Sequence, residues 1–231
     1  MQREIQAINT AAAAMIQKNS FDQACRLLLC GTSKLSSCIL PPAPIVDATK
    51  KLSTSYEGVG QEIEVHAAED QPQGPQDQHA GNFFSQPFLF EYSEGTICSD
   101  FPELSNYQYN TSAAIYLFNL GLCWHTAHYQ TRRAKADFLM KAIHCYEEAI
   151  SLLKTDRGFV PTGPVLKVLL AVCINAAHCN NELANFGQLN RWNNVLQFLL
   201  KFSTQEILQS QEVLSMKGFF TGSTQTLAPA A

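Results

Sequence analysis

Between residues 116 and 130, and again between 141 and 153, apolar side chains recur every three or four positions, the spacing of one face of an α-helix. Small residues interrupt the apolar face where two antiparallel helices would have to touch: Gly121 in the first stretch, Ala142 and Ala149 in the second. The pattern predicts a helical hairpin. Its first helix should start at Thr111 or Ser112 and reach about Tyr129; its second has no Pro or Gly before Lys154 and should end at Asp156-Arg157-Gly158. A weaker form of the same pattern opens the chain, with Ala11, Ala12 and Met15 on one helix and Phe21, Ala24, Leu28 and Gly31 on the next. The turn Lys18-Asn19-Ser20 between them suits a left-handed Asn and a capping Ser. A third hairpin should follow Pro161 and Pro164, where Asn175, Ala176 and Ala177 align with Asn119, Leu120 and Gly121. After a turn at Glu182-Leu183, Asn190-Arg191-Trp192 opens a helix through Leu200, and Ser203 caps a last helix from Gln205 to Met216.

The helical period stops at about Pro41. Residues 68–82 hold Pro, Gln, Gly and Asp with almost no apolar side chain, too little to offset the entropy of ordering. At 87–92 the period changes to two, Phe88, Phe90 and Tyr92 alternating with Leu89 and Glu91, as in a short strand or an extended segment pinned by its aromatics. The expected organisation is therefore a helical hairpin (1–38), a disordered acidic linker (41–82), an extended segment packed on the helical body (83–110), further hairpins (111–216) and a flexible tail (217–231). The fold class is all-α.

Charge sharpens this division. Residues 41–110 carry two Lys or Arg against eleven Asp or Glu, whereas the flanking parts are slightly basic, so a dominant nucleic-acid surface is not expected. With 46% apolar residues the chain can bury a sizeable core, yet it has no uninterrupted apolar run of membrane-spanning length. The N-terminus carries Arg3 and Glu4 where a secretory signal would need a positively charged region and then an apolar core, which points to an intracellular protein, cytoplasmic or nuclear. The eight cysteines form no C-x-x-C pair and lie mostly on amphipathic stretches, as reduced apolar fillers do.

Leu120, Gly121 and Trp124 stand as L-G-x-x-aromatic, and Ala142, Tyr146 and Ala149 as A-x-x-x-aromatic-x-x-A. The combination resembles the tetratricopeptide repeat, over roughly residues 5–33 and 113–200, with helices lengthened so that Trp124 and Ala142 stand 18 positions apart. The resemblance implies antiparallel hairpins stacked as a short α-solenoid whose first helices line a groove for a peptide or a partner's helix. Carried onto this chain, the groove face takes in Gln6, Asn9, Ala13 and Gln17; Phe118, Leu122, His125 and Thr126; and Ile174, His178, Asn181 and Glu182. Partner contact is expected at Asn9, Gln17, Phe118, Leu122, His125, His178 and Asn181. Asn9, Asn119 and Asn175 match the groove asparagines of the family's carboxylate-binding version, but the Lys and Arg of that version are missing.

Catalytic signatures are lacking. His125 and His128 stand at i and i+3 without further ligands at metal-binding spacing, and His144 and Cys145, being adjacent on a helix, point about 100° apart. No glycine-rich phosphate loop or G-x-S-x-G elbow occurs. Arg132, Arg133, Lys135 and Lys141 make the one basic cluster. The sequence thus reads as a non-enzymatic adaptor without metal or cofactor that binds another protein or peptide. The alternatives are a structural or regulatory subunit of an obligate complex, whose interface would be more apolar, and a helical-repeat RNA binder, whose affinity would fall steeply with salt.

Overall fold

The structure, a computed structural model, describes residues 2–36, 64–68, 83–91, 102–130, 136–153 and 163–201. It is mostly helical: α1 (Gln2–Gln17), α2 (Phe21–Ser36), α3 (Pro102–Gln130), α4 (Ala136–Leu153), α5 (Gly163–Glu182) and α6 (Phe186–Lys201), with two short strands, β1 (Glu64–Ala67) and β2 (Phe88–Glu91). Each helix packs on the next in chain order, and α3 also touches α1 and α5. The first and third hairpins close in the same way. Asn19 and Ala184 take left-handed φ of 58° and 53°, and around them paired backbone bonds tie Ser20 to Met15 and Asn185 to Asn180. These 6→1 bonds use up carbonyls that the helix end would leave orphaned. Asn19 is the left-handed residue that the turn sequence calls for.

Two small residues set the helix spacing. A Cβ on Gly121 would come within 2.7 Å of Tyr146 Cε1, so α3 and α4 approach as closely as they do because that carbon is absent. At Gly31 an added Cβ would overlap the Tyr116 hydroxyl, which reaches over α2 to donate a 2.6 Å bond to the Leu28 carbonyl. Both rings are wholly buried, and with Phe118, Leu122, Leu166 and Leu170 they form the centre of one continuous core. Lys141, the described member of the basic cluster, lies 4.5 Å from the centre of the Trp124 ring, a cation–π contact.

Three expected boundaries are corrected. Helix α3 starts at Pro102, so residues 102–110 are not extended; Pro suits a first helical turn because its missing N–H would be unpaired there anyway. Helix α6 starts at Phe186 rather than Asn190, directly after its turn. The supposed disordered stretch 41–82 contains β1, which pairs antiparallel with β2 in the register Val65 to Phe90 and Ala67 to Phe88. Four residues are too few to order alone, and a strand partner far along the chain leaves no local signal. Apart from Ala68, the rest of that stretch, Arg132, Arg133 and Lys135, the last helix and the tail lie outside the described residues.

Gly121→Leu should lower stability by about 1–3 kcal/mol in denaturant melts, overpacking outweighing the better helix propensity. Gly187→Ala, where a Cβ would meet nothing within 4 Å, should instead leave stability unchanged or raise it by up to about 1 kcal/mol.

Candidate functional site

Residues 83–91 run extended across the first helices of the three hairpins. β2 packs on α1 and α3, and its partner β1 packs on α5. Because neighbouring residues of an extended chain point their backbone groups to opposite edges, the segment needs partners on both sides. On one edge, beyond the β1 pairing, the Pro87 carbonyl accepts from Ala68 N at 2.9 Å. On the other edge lie helices, whose own backbone groups are already paired, so that only side chains are left to bond it.

Three buried asparagines do so. Asn119 accepts from Phe88 N at 3.0 Å and donates to the Phe88 carbonyl at 2.8 Å. Asn175 treats Phe84 in the same way, at 2.8 Å and 2.9 Å. Asn9 donates to the Phe88 carbonyl at 3.0 Å, and its own oxygen accepts from Asn119 at 2.8 Å. A carboxamide carries the same donor and acceptor as a peptide group, so each bidentate Asn acts as one residue of a neighbouring strand. The two contacts are four residues apart along the segment, about 13 Å of extended chain.

The side chains of the segment supply the area. Phe83, Phe84, Phe88 and Phe90 are each at least 96% buried. Phe84 and Phe88 lie 5.3 Å apart and both rest on Phe118, at 6.1 and 5.1 Å. Phe83 stacks on the His125 ring at 4.0 Å, with Tyr129 and His178 around it. Burying a phenylalanine is worth about 1.5–3 kcal/mol and a net hydrogen bond about 1 kcal/mol, whereas fixing each residue of backbone costs about 1–2 kcal/mol. For nine residues, four phenylalanines and the asparagine bonds these terms are of the same order, so ring burial and hydrogen bonding both count in holding the segment.

Behind Phe83 and Phe84 the asparagine contact continues as a polar chain. Asn175 also donates to the Tyr146 hydroxyl at 3.3 Å; that hydroxyl lies 3.3 Å from His125 Nδ1, and His125 Nε2 lies 3.1 Å from His178 Nδ1. One polarity satisfies every atom: Tyr146 O–H donates to His125, and neutral His125 donates to His178. Burial holds the His125 pKa well below the usual imidazole value, and nearby His178 and His128 push the same way. His178 is lowered by burial and by His128, against the opposing pull of the Glu182 carboxylate. Burial likewise raises the thiols, Cys25 to about 11 and Cys145 to about 12, so they remain protonated fillers.

Of the residues singled out from sequence, Asn9, Phe118, His125 and His178 come together beneath the segment. Leu122 is wholly buried in the core, and Gln17 and Asn181 are exposed at the ends of their helices. Asn119 and Asn175, which bond the segment most fully, were legible as asparagines at matching positions of aligned helices. The four phenylalanines carried only the alternation of 88 and 90. Among the described residues no group of His, Cys, Asp and Glu could hold a metal ion, and no helix is long and apolar enough to cross a membrane. No protein-family model matches the chain, and no significant match is found among curated proteins or solved structures.

Asn119→Ala leaves Phe88 N–H and the Asn9 oxygen unpaired and should cost about 1–3 kcal/mol in denaturant melts. Asn119→Asp should cost more, since it turns a carboxylate oxygen on the Phe88 carbonyl and the Asn9 oxygen. Equal losses would mean that the donor half of the amide is not used.

Stability should also fall on acidification. The unfolded chain takes up protons near the ordinary histidine pKa of about 6.5, while folded His125 resists them until well below it. The loss therefore begins as pH drops through about 6.5, with a slope of up to about 1.4 kcal/mol per pH unit for His125 and less for partly exposed His178. Melts at pH 7.5 and 5.5 should differ accordingly, and His125→Gln should flatten the difference.

Proposed function

We propose that this protein is a non-enzymatic interaction adaptor of tetratricopeptide-like build, its hairpins stacked as a short α-solenoid whose first helices line a groove for an extended polypeptide. One observation carries the reading: asparagines from the first helices of successive hairpins pair with both backbone groups of Phe84 and of Phe88. A buried amide aimed at a backbone pairs with the N–H and C=O of an extended chain whatever its side chains, and so fits a surface that reads extended chains. Backbone pairing supplies affinity without regard to sequence, and the aromatic pockets supply selectivity, the division of labour of strand-type peptide recognition.

Panning a library of displayed peptides on the full chain should yield binders whose capture falls at least about tenfold on an Asn119→Ala/Asn175→Ala variant of unchanged helical content. Binders captured equally well by both proteins would place the adaptor surface elsewhere.

A further inference from the structure

We infer that residues 83–91 are an intramolecular stand-in for the ligand, and that the groove accepts from a partner an extended peptide of pattern Phe-Phe-x-x-x-Phe-x-Phe, which displaces them. The inference rests on the peptide-groove reading above and adds the ligand class and its regulation. Its ground is the way the segment is held. The bonds to α1, α3 and α5 go to backbone atoms, which any extended peptide offers equally. Selectivity therefore lies in four aromatic positions. The first takes a ring stacked on His125, the second and third share Phe118, and the fourth is Phe90, wholly buried one alternation further along. Between them Ser85 and Gln86 are partly buried and Pro87 is buried with its carbonyl bonded to Ala68 N, while Leu89 is partly buried between the last two aromatics and Glu91 exposed after them.

The chain's own segment then sets the threshold for a partner. A tethered ligand competes at an effective concentration of about millimolar, so a free peptide with the same contacts meets a groove that is already filled. Its apparent affinity is reduced by the fraction of molecules in which the groove is open. A partner gains entry by matching the aromatic pattern better or by being held nearby through other contacts.

The probe is a fluorescent synthetic peptide spanning 83–91, with a control in which its four phenylalanines are replaced by serine. Full chain carrying Phe84→Ala/Phe88→Ala, which weakens the internal occupant, should bind the probe at least about tenfold tighter than the unaltered chain, and the control should not bind. In the unaltered chain, millimolar unlabelled peptide should speed amide exchange of residues 84–91 and leave the helices protected. This second measurement decides the matter if the double variant fails to fold. The inference is overturned if the folded variant binds no probe, if exchange in 84–91 is indifferent to the peptide, or if weakening the segment produces only a dimer in which copies trade segments. Binding of the probe that survives Asn119→Ala/Asn175→Ala would instead count against the asparagine groove itself while leaving the aromatic pattern standing.

Discussion

A strand laid against helices has a backbone problem that a strand in a sheet does not. Its N–H and C=O groups face a surface whose own backbone groups are spent on helical bonds, and leaving them dry costs more than the contact returns. The side-chain amide of Asn is the economical solution. It carries one donor group and one acceptor at the spacing of a peptide unit, on a side chain short enough to hold its position. Everything else at this site follows from placing such amides on α3 and α5 in step with an extended chain. The occupant must present Phe84 and Phe88 to them, the intervening backbone must turn to β1, and Pro87, which has no N–H to satisfy, falls where a carbonyl alone is used.

Amides and aromatics are not interchangeable contributors. The burial of four phenylalanines supplies most of the gross attraction and, because each ring fills its own place, also selects the register. Displacing the chain by one residue would move every aromatic to the opposite face and take Phe84 and Phe88 away from Asn175 and Asn119. The hydrogen bonds add less energy and, being made to backbone, fix which edge of the chain faces the helices.

Much of the helical framework was readable because each helix carries its own periodic evidence. The Asn19 turn, the small residues Gly31 and Gly121, and the three-hairpin pattern are local features, and Gly121 does meet a ring of the neighbouring helix. The site was legible by half. His125, His178, Phe118 and Asn9 emerged from the face that the repeat resemblance points to, yet no periodicity showed that the chain's own residues 83–91 cover them. That gap has a plain cause. Contacts between Asn175 and Phe84 span 91 positions and those between Asn9 and Phe88 span 79, and no periodicity records such a distance. β1 escaped notice for the same reason, since its order comes from β2 and not from its own four residues.

The two bidentate asparagines also differ in what stands behind them. Asn119 is backed by Asn9, an uncharged partner with no protonation equilibrium, so its grip on Phe88 is insulated from the medium. Asn175 is backed by Tyr146, and through it by His125 and then by His178, which is partly exposed. The polarity of that chain requires an unprotonated Nδ1 on both imidazoles. A proton on His178 would remove the acceptor that neutral His125 donates to, and would set a positive charge beside a ring already stacked on Phe83. Glu182 favours that proton while burial and His128 oppose it, burial being the largest influence. The Phe83–Phe84 end of the segment thus adjoins a pair of imidazoles, and the Phe88 end adjoins only uncharged amides.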